Sequence, residues 1–213
     1  TVICHAASLP IQSLQSTSFA EVFFGSYPIL VEGDTEHAAF IAAIVEKEDE
    51  LLDQVTVVRA RGKAILLPLI KVLTHFQINF GVVHDCDPPF KKNSDKNGMW
   101  SENNKIHCAV ITARERGLEA RHRVSIPDFE RFLGGDEESK DKPLNAYMRV
   151  TAEAELRAKV HVLLDDLMRS AQHDPFGAEV LKEGVEYMDV LMQRISEWAE
   201  ANGNADDPRY KGK

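Results

Sequence analysis

Ile29-Leu30-Val31-Glu32-Gly33-Asp34-Thr35-Glu36 is the stretch that decides how this chain folds. An apolar run closes on a glutamate, a glycine interrupts it, and a second glutamate follows four residues after the first. A short apolar run bounded by a turn residue reads as a buried strand, here Tyr27 to Val31. Asp34 is placed to cap a helix from Thr35 to about Leu52, with Ala38, Phe40, Ile41, Ile44 and Val45 on its apolar face. Glu32 then stands at the C-terminal mouth of a strand. Glu36 lies in the first turn of the next helix, from which it can turn back towards Glu32.

The same arrangement recurs some fifty residues later in Phe80-Gly81-Val82-Val83-His84-Asp85-Cys86-Asp87, another apolar run that ends in acids. Between the two, Val55 to Val58 reads as a strand and Lys63 to Phe76 as a helix kinked near Pro68. Ile78 to Val83 is the third strand, residues 88–104 form a polar loop, and Ile106 to Ile111 is the fourth strand. Strands alternating with helices predict an α/β fold, a mainly parallel four-stranded sheet with crossover helices on its faces. After Pro127 the pattern turns helical, with two long helices over 144–169 and 176–200 and a polar tail from Asn202 to Lys213. The organisation is thus a lead-in over 1–27, an α/β core over 28–142, a helical element over 143–201 and the tail over 202–213.

With 213 residues, 44% of them hydrophobic, the chain is long enough for one α/β domain with a helical addition. The formal charge of −9 argues against a protein that simply coats DNA. It does not argue against a nuclease, because carboxylates that serve as cation ligands count against the sum. Cys4, Cys86 and Cys108 are scattered and have no CxxC spacing, which points away from zinc or a disulfide framework and towards a reducing cytoplasm. No apolar run reaches transmembrane length, so no membrane partner is expected. A chain that begins at Thr1 is expected to be a fragment or processed product.

Magnesium takes hard oxygen ligands, chiefly from Asp and Glu, and open α/β sheets bind their ligands at the C-terminal ends of strands. Glu32, Asp85 and Asp87 fall at such ends, with Glu36 beside them. On extended backbone Asp85 and Asp87 point to one side and Cys86 to the other. Each motif has a plainer reading: a helix-start Glu complements the helix dipole, and Asp-x-Asp after a strand is turn chemistry. Clustered like charges repel, however, and a cation offsets that cost.

These motifs resemble the Toprim domain, which has a glutamate after its first strand and Asp-x-Asp after its third. More narrowly, residues 18–150 resemble the C-terminal nuclease region of OLD-family ATP-dependent endonucleases. The likeness rests on Ala20 to Phe24, Val31 to Glu36, Gly62-Lys63, Asp85-Cys86-Asp87 and Lys142-Pro143. In OLD proteins an ABC-type ATPase domain precedes this region, so such a domain of the full-length chain, DNA and a possible homodimer are the implied partners. Gly62-Lys63 is not a phosphate-binding loop, since Val57 and Ala64 stand where Gly and Ser or Thr are needed. Here the glycine opens the second helix; alternatively it marks a helix start with a surface lysine.

The resemblance implies Mg2+-dependent (or Mn2+-dependent) cleavage of DNA by two cations about 3.5–4 Å apart. Its metal ligands would be Glu32, Glu36, Asp85 and Asp87, completed by Glu130 or Asp128, with Glu32 also a candidate base. Asp128 can instead cap a helix running to Leu133. Lys142, with Lys140 as rival, would stabilise charge on the scissile phosphate. Arg114, Arg116, Arg121 and Arg123, with Lys91, Lys92 and Lys96, are candidates for holding DNA phosphates. Trp100 and His84 are expected in the core, with base stacking the alternative for Trp100. Two other functions stay open: a non-catalytic Toprim-like module that binds metal or nucleic acid, and a single-metal phosphotransferase or phosphatase.

Overall fold

The computed structural model describes residues 27–46, 54–135, 140–177 and 186–211. The lead-in up to residue 26, with the Ala20 to Phe24 motif, and the C-terminal end expected for the first helix lie outside these residues. Strands β1 (Pro28–Val31), β2 (Thr56–Arg59), β3 (Phe80–Asp85) and β4 (Ala120–Ser125) form one sheet in the order β2-β1-β3-β4. All three pairings are parallel. Helices α1 (Asp34–Glu46), α2 (Lys63–His75) and α3 (Gly98–Glu115) are the crossovers. The rest are α4 (Phe129–Phe132), α5 (Lys142–Ala152), α6 (Ala154–Arg169), α7 (Tyr187–Ala201) and α8 (Pro208–Lys211).

Residues of a strand alternate between faces, and both faces here are covered. Ile29, Val31 and Val83 enter a core with Phe40, Phe129, Val150 and Leu164, so α1, α5 and α6 cover one side. Leu30, Val58, Phe80 and Val82 enter the opposite core with Leu66, Ile70, Ile106 and Val110 from α2 and α3. Gly81 permits the close approach of α6 to β3: a Cβ there would lie 3.1 Å from both Leu167 Cβ and the Leu167 carbonyl oxygen. A third cluster gathers Cys86, Tyr187, Leu191, Ile195 and Tyr210 beneath α7 and α8.

The main correction concerns the fourth strand. Ile106 to Ile111 lies within α3, and β4 is Ala120–Ser125. Ile106, Val110 and Ala113 are all buried and recur at four- and three-residue steps, which is a helical stripe. Asn97 caps α3 by accepting the Met99 N–H at 3.1 Å. The strand escapes a hydropathy reading because Ala-Arg-His-Arg-Val-Ser is polar. As an edge strand it carries polar side chains whose partners come from α3 and the segment after α6. The helix expected over 144–169 is two helices that meet at Glu153, and the nominal tail carries α8, whose Tyr210 packs near Trp198 with ring centroids 5.5 Å apart. Pro68 lies inside α2 without ending it. Trp100 packs partly buried against the third cluster, as the sequence favours.

Candidate metal centre

Three connections at the C-terminal edge of the sheet bring the acids together. The β1–α1 turn carries Glu32, Gly33 and, in the first turn of α1, Glu36. Gly33 N–H donates to Glu36 Oε2 at 3.2 Å, and a Cβ on Gly33 would lie 3.2 Å from that same oxygen. The four-residue spacing of the two glutamates therefore lets the second fold back over a glycine. Glu32 Oε2 accepts the Asp85 N–H at 3.2 Å, which ties the mouths of β1 and β3 together. From the β4 side, Phe129 N–H donates to Asp85 Oδ1 at 2.8 Å. Glu130 Oε1 accepts the Thr35 hydroxyl at 3.2 Å and lies 3.3 Å from Lys142 Nζ at the start of α5.

The electrostatics follow from burial. Glu36 is 4% exposed. Burial, then the charges of Glu32 and Glu130, push its carboxyl up to about 7. Burial and the charge of Asp87 likewise raise Glu32 to about 7 against the pull of Lys63. Asp85 is held well above the usual carboxylate range by burial and by Glu36, Glu32 and Glu130. Glu32, Glu36, Asp85 and Glu130 thus share one poorly solvated space.

The remaining predicted residues part company. Asp87 leaves the extended path, with φ at +60°, and meets Lys63 Nζ at 2.7 Å. Asp128 is the N-cap of α4: it accepts the Arg131 N–H at 2.9 Å and pairs with the Arg131 guanidinium. Its carboxyl is raised chiefly by burial. Asp128 thus serves as the helix cap that the sequence also offers, while Glu130 meets Thr35 and Lys142. Lys142 stands beside Glu130; Lys140 is exposed, and its carbonyl accepts from Asn145.

Three of the four candidate arginines are engaged inside the fold, and Arg116 is exposed. Arg114 pairs with Asp174 at 2.6 Å and donates to the Ala120 and His173 carbonyls. Arg121 is 9% exposed and donates to the Ser170 carbonyl and to Glu119. Arg123 donates to the His122 and Gln172 carbonyls. These residues fasten the segment after α6 to β4. Arg114, Arg116 and Arg121 also lie at or near the N-terminal end of β4, roughly 13 Å of strand from its C-terminal mouth. Lys91, Lys92 and Lys96 are exposed in the loop that follows Asp87, on the correct edge.

Sequence reasoning missed Lys63. It is no surface lysine: its side chain is fully buried, and its ammonium reaches the Asp85 and Cys86 carbonyls and Asp87. Its only signal was the glycine before it. Arg59 and Arg61 also sit at this edge, Arg59 paired with Asp34 at 2.7 Å. His84 is buried as expected and shares a 2.8 Å Nε2–Nε2 hydrogen bond with His122. Burial and the nearby Lys63 charge push His84 down to about 3.

The carboxylates fit a hard divalent cation in donor type and in their mutual field, since a cation would relieve both burial and repulsion. Among the described residues, no three His, Cys, Asp or Glu side chains are already gathered around a common point as a metal would need. The carboxylates are turned instead to the Asp85, Gly33 and Phe129 amides, to Thr35 and to the two lysines. Modest rotations would therefore accompany binding.

No helix is long and apolar enough to cross a membrane among the described residues. Residues 23–87 match the family model of the Overcoming lysogenization defect protein-like TOPRIM domain. No curated protein matches the chain. The matched segment ends at Asp87, so β4, Glu130 and Lys142 lie beyond it.

Proposed function

From an OLD-like Toprim domain over residues 23–87, we propose that the chain is a Mg2+- or Mn2+-dependent DNA endonuclease domain that hydrolyses phosphodiester bonds. The single observation that carries this reading is the convergence of Glu32, Glu36, Asp85 and Glu130 at one sheet edge, where Glu32, Glu36 and Glu130 raise the proton affinity of their neighbours. A buried anionic cluster of this kind suits divalent cations better than any purely structural role. Glu32, Glu36, Asp85, Asp87 and Glu130 would hold the cations, which would supply activation of water and neutralisation of charge on the leaving oxygen.

The chain's own residues supply the rest. The Asp85 amide fixes Glu32 Oε2, which leaves Glu32 Oε1 to take the proton from the attacking water. Lys142, whose Nζ lies 3.3 Å from Glu130 Oε1, would stabilise the charge that develops on the phosphate. Lys91 and Lys92 hold the DNA backbone beside the acids. In the full-length protein an ATPase domain would precede this one.

Supercoiled plasmid incubated with Mg2+ or Mn2+ tests the reading. The expected result is nicking that falls by roughly 100-fold or more in Asp85→Asn and in Lys142→Ala, as when an electrostatic stabiliser is removed. Undiminished cleavage in both variants refutes the assignment.

A further inference from the structure

The turn Asp85-Cys86-Asp87 is anchored at every backbone polar group from Asp85 N to Asp87 N. Asp85 N–H donates to Glu32, Cys86 N–H to the Ser125 carbonyl at 2.8 Å, and Asp87 N–H to the Pro127 carbonyl at 3.0 Å. Asn103 Nδ2, fully buried, donates to the Cys86 carbonyl at 2.7 Å. The remaining anchor is Lys63. An ammonium has three donors, and Lys63 Nζ has three acceptors: the Asp85 carbonyl at 2.6 Å, Asp87 Oδ2 at 2.7 Å and the Cys86 carbonyl at 3.2 Å.

We propose that Lys63 is a positioning residue that holds Asp87 by one carboxylate oxygen and presents the other to a divalent cation. With its three donors engaged and its side chain fully buried, Lys63 has none left for substrate. Its charge also offsets part of the repulsion among the acids. Asp87 is the residue that needs such help. Its φ of +60° is a conformation that non-glycine residues adopt at a cost and keep only where surrounding contacts enforce it. The Asp87 side chain is 29% exposed and meets Lys63 through Oδ2, which leaves Oδ1 for a cation. Glycine at position 62 opens α2 immediately before Lys63 and so sets where its side chain enters the fold. The Gly-Lys pair therefore acts through the Asp-x-Asp turn and not through a nucleotide phosphate.

This inference rests on the proposal that the acids hold a cation, but not on DNA being the substrate. Mn2+ binding to the chain, measured by calorimetry, tests it without any turnover. Lys63→Met is expected to weaken Mn2+ binding about tenfold. Asp87→Gly removes the presented carboxylate while accepting the left-handed backbone. In that background Lys63→Met is expected to change the affinity less than twofold, because its effect passes through Asp87. Should Lys63→Met not fold, Lys63→Gln, which keeps donors for the two carbonyls, is read by the same criteria. Unchanged or tighter binding in the single variant overturns the proposal. So does an equal loss in both backgrounds, or a wild-type chain that binds no Mn2+. Nicking of plasmid, run in parallel, separates the two readings: Mn2+ binding with the expected coupling but no nicking sinks the endonuclease and leaves Lys63 in place.

Discussion

Replacing Glu32 with glutamine should stabilise the protein at pH 8 and leave it almost unchanged near pH 4.5. Burial raises this carboxyl from 4.5 to about 7 in the folded chain. Between those values the folded state holds a proton that the unfolded state has released. The stability contributed by the protonated group is therefore complete below about 4.5 and lost as pH rises through 7. At 1.36 kcal/mol per unit, the loss amounts to about 3 kcal/mol. Glutamine cannot ionise, and its side-chain oxygen can still accept the Asp85 amide. For a chain of this size the difference corresponds to roughly 6–12 °C in melting temperature at pH 8. The buried histidines work in the opposite direction: burial pushes His84 down to about 3 and His107 to about 4, so acid destabilises the fold below their ordinary range. That background is common to both proteins and cancels in the comparison. The assay is thermal melting of wild type and Glu32→Gln at pH 5 and pH 8 in chelator, repeated with saturating Mg2+. Chelator should give a wide gap at pH 8 that Mg2+ narrows. A gap of the same size at both pH values refutes the reasoning, because it would mean that Glu32 pays no ionisation penalty.

Asp128→Ala should cost about 1 kcal/mol through the lost N-cap and lower plasmid nicking far less than Glu130→Ala; melting and cleavage measured on both variants check this. Gly81→Ala should destabilise by about 1–3 kcal/mol, since the added methyl meets Leu167 at 3.1 Å; denaturant unfolding reads it. Arg114→Ala should lower the melting temperature with little change in DNA affinity, whereas Lys91→Ala with Lys92→Ala should do the reverse and flatten the salt dependence of binding. Melting curves and a salt series of DNA binding distinguish them.

The parallel sheet was legible because β1 and β3 are continuous apolar runs that end in acids, the mark of strands buried on both faces. Strand β4 was not, because an edge strand paired on one side takes its partners from arginine and histidine, and polar residues carry no hydropathy signal. Ile106 to Ile111 shows the same ambiguity in reverse: a short apolar run inside a helix cannot be told from a buried strand until its wider three-and-four spacing is read. Among the acids, Glu32, Glu36 and Asp85 could be placed from spacing alone. Asp87 could not, because its orientation depends on a left-handed φ and on a lysine 24 residues away. For Asp128 and Glu130 the choice needed the hydrogen bond from Thr35, a partner 95 residues distant from Glu130.

Strand β4 reaches its place beside β3 only after α3 has crossed the sheet, and it brings Phe129 and Glu130 with it. The amide that steadies Asp85 and the glutamate beside Lys142 thus arrive on a strand paired along one edge. Closing the sheet and completing the acid cluster are one event. A fluctuation that peels β4 from β3 opens the fold and dismantles the site together, so any ligand that bridges Asp85 and Glu130 also acts as a clasp on the sheet's last seam.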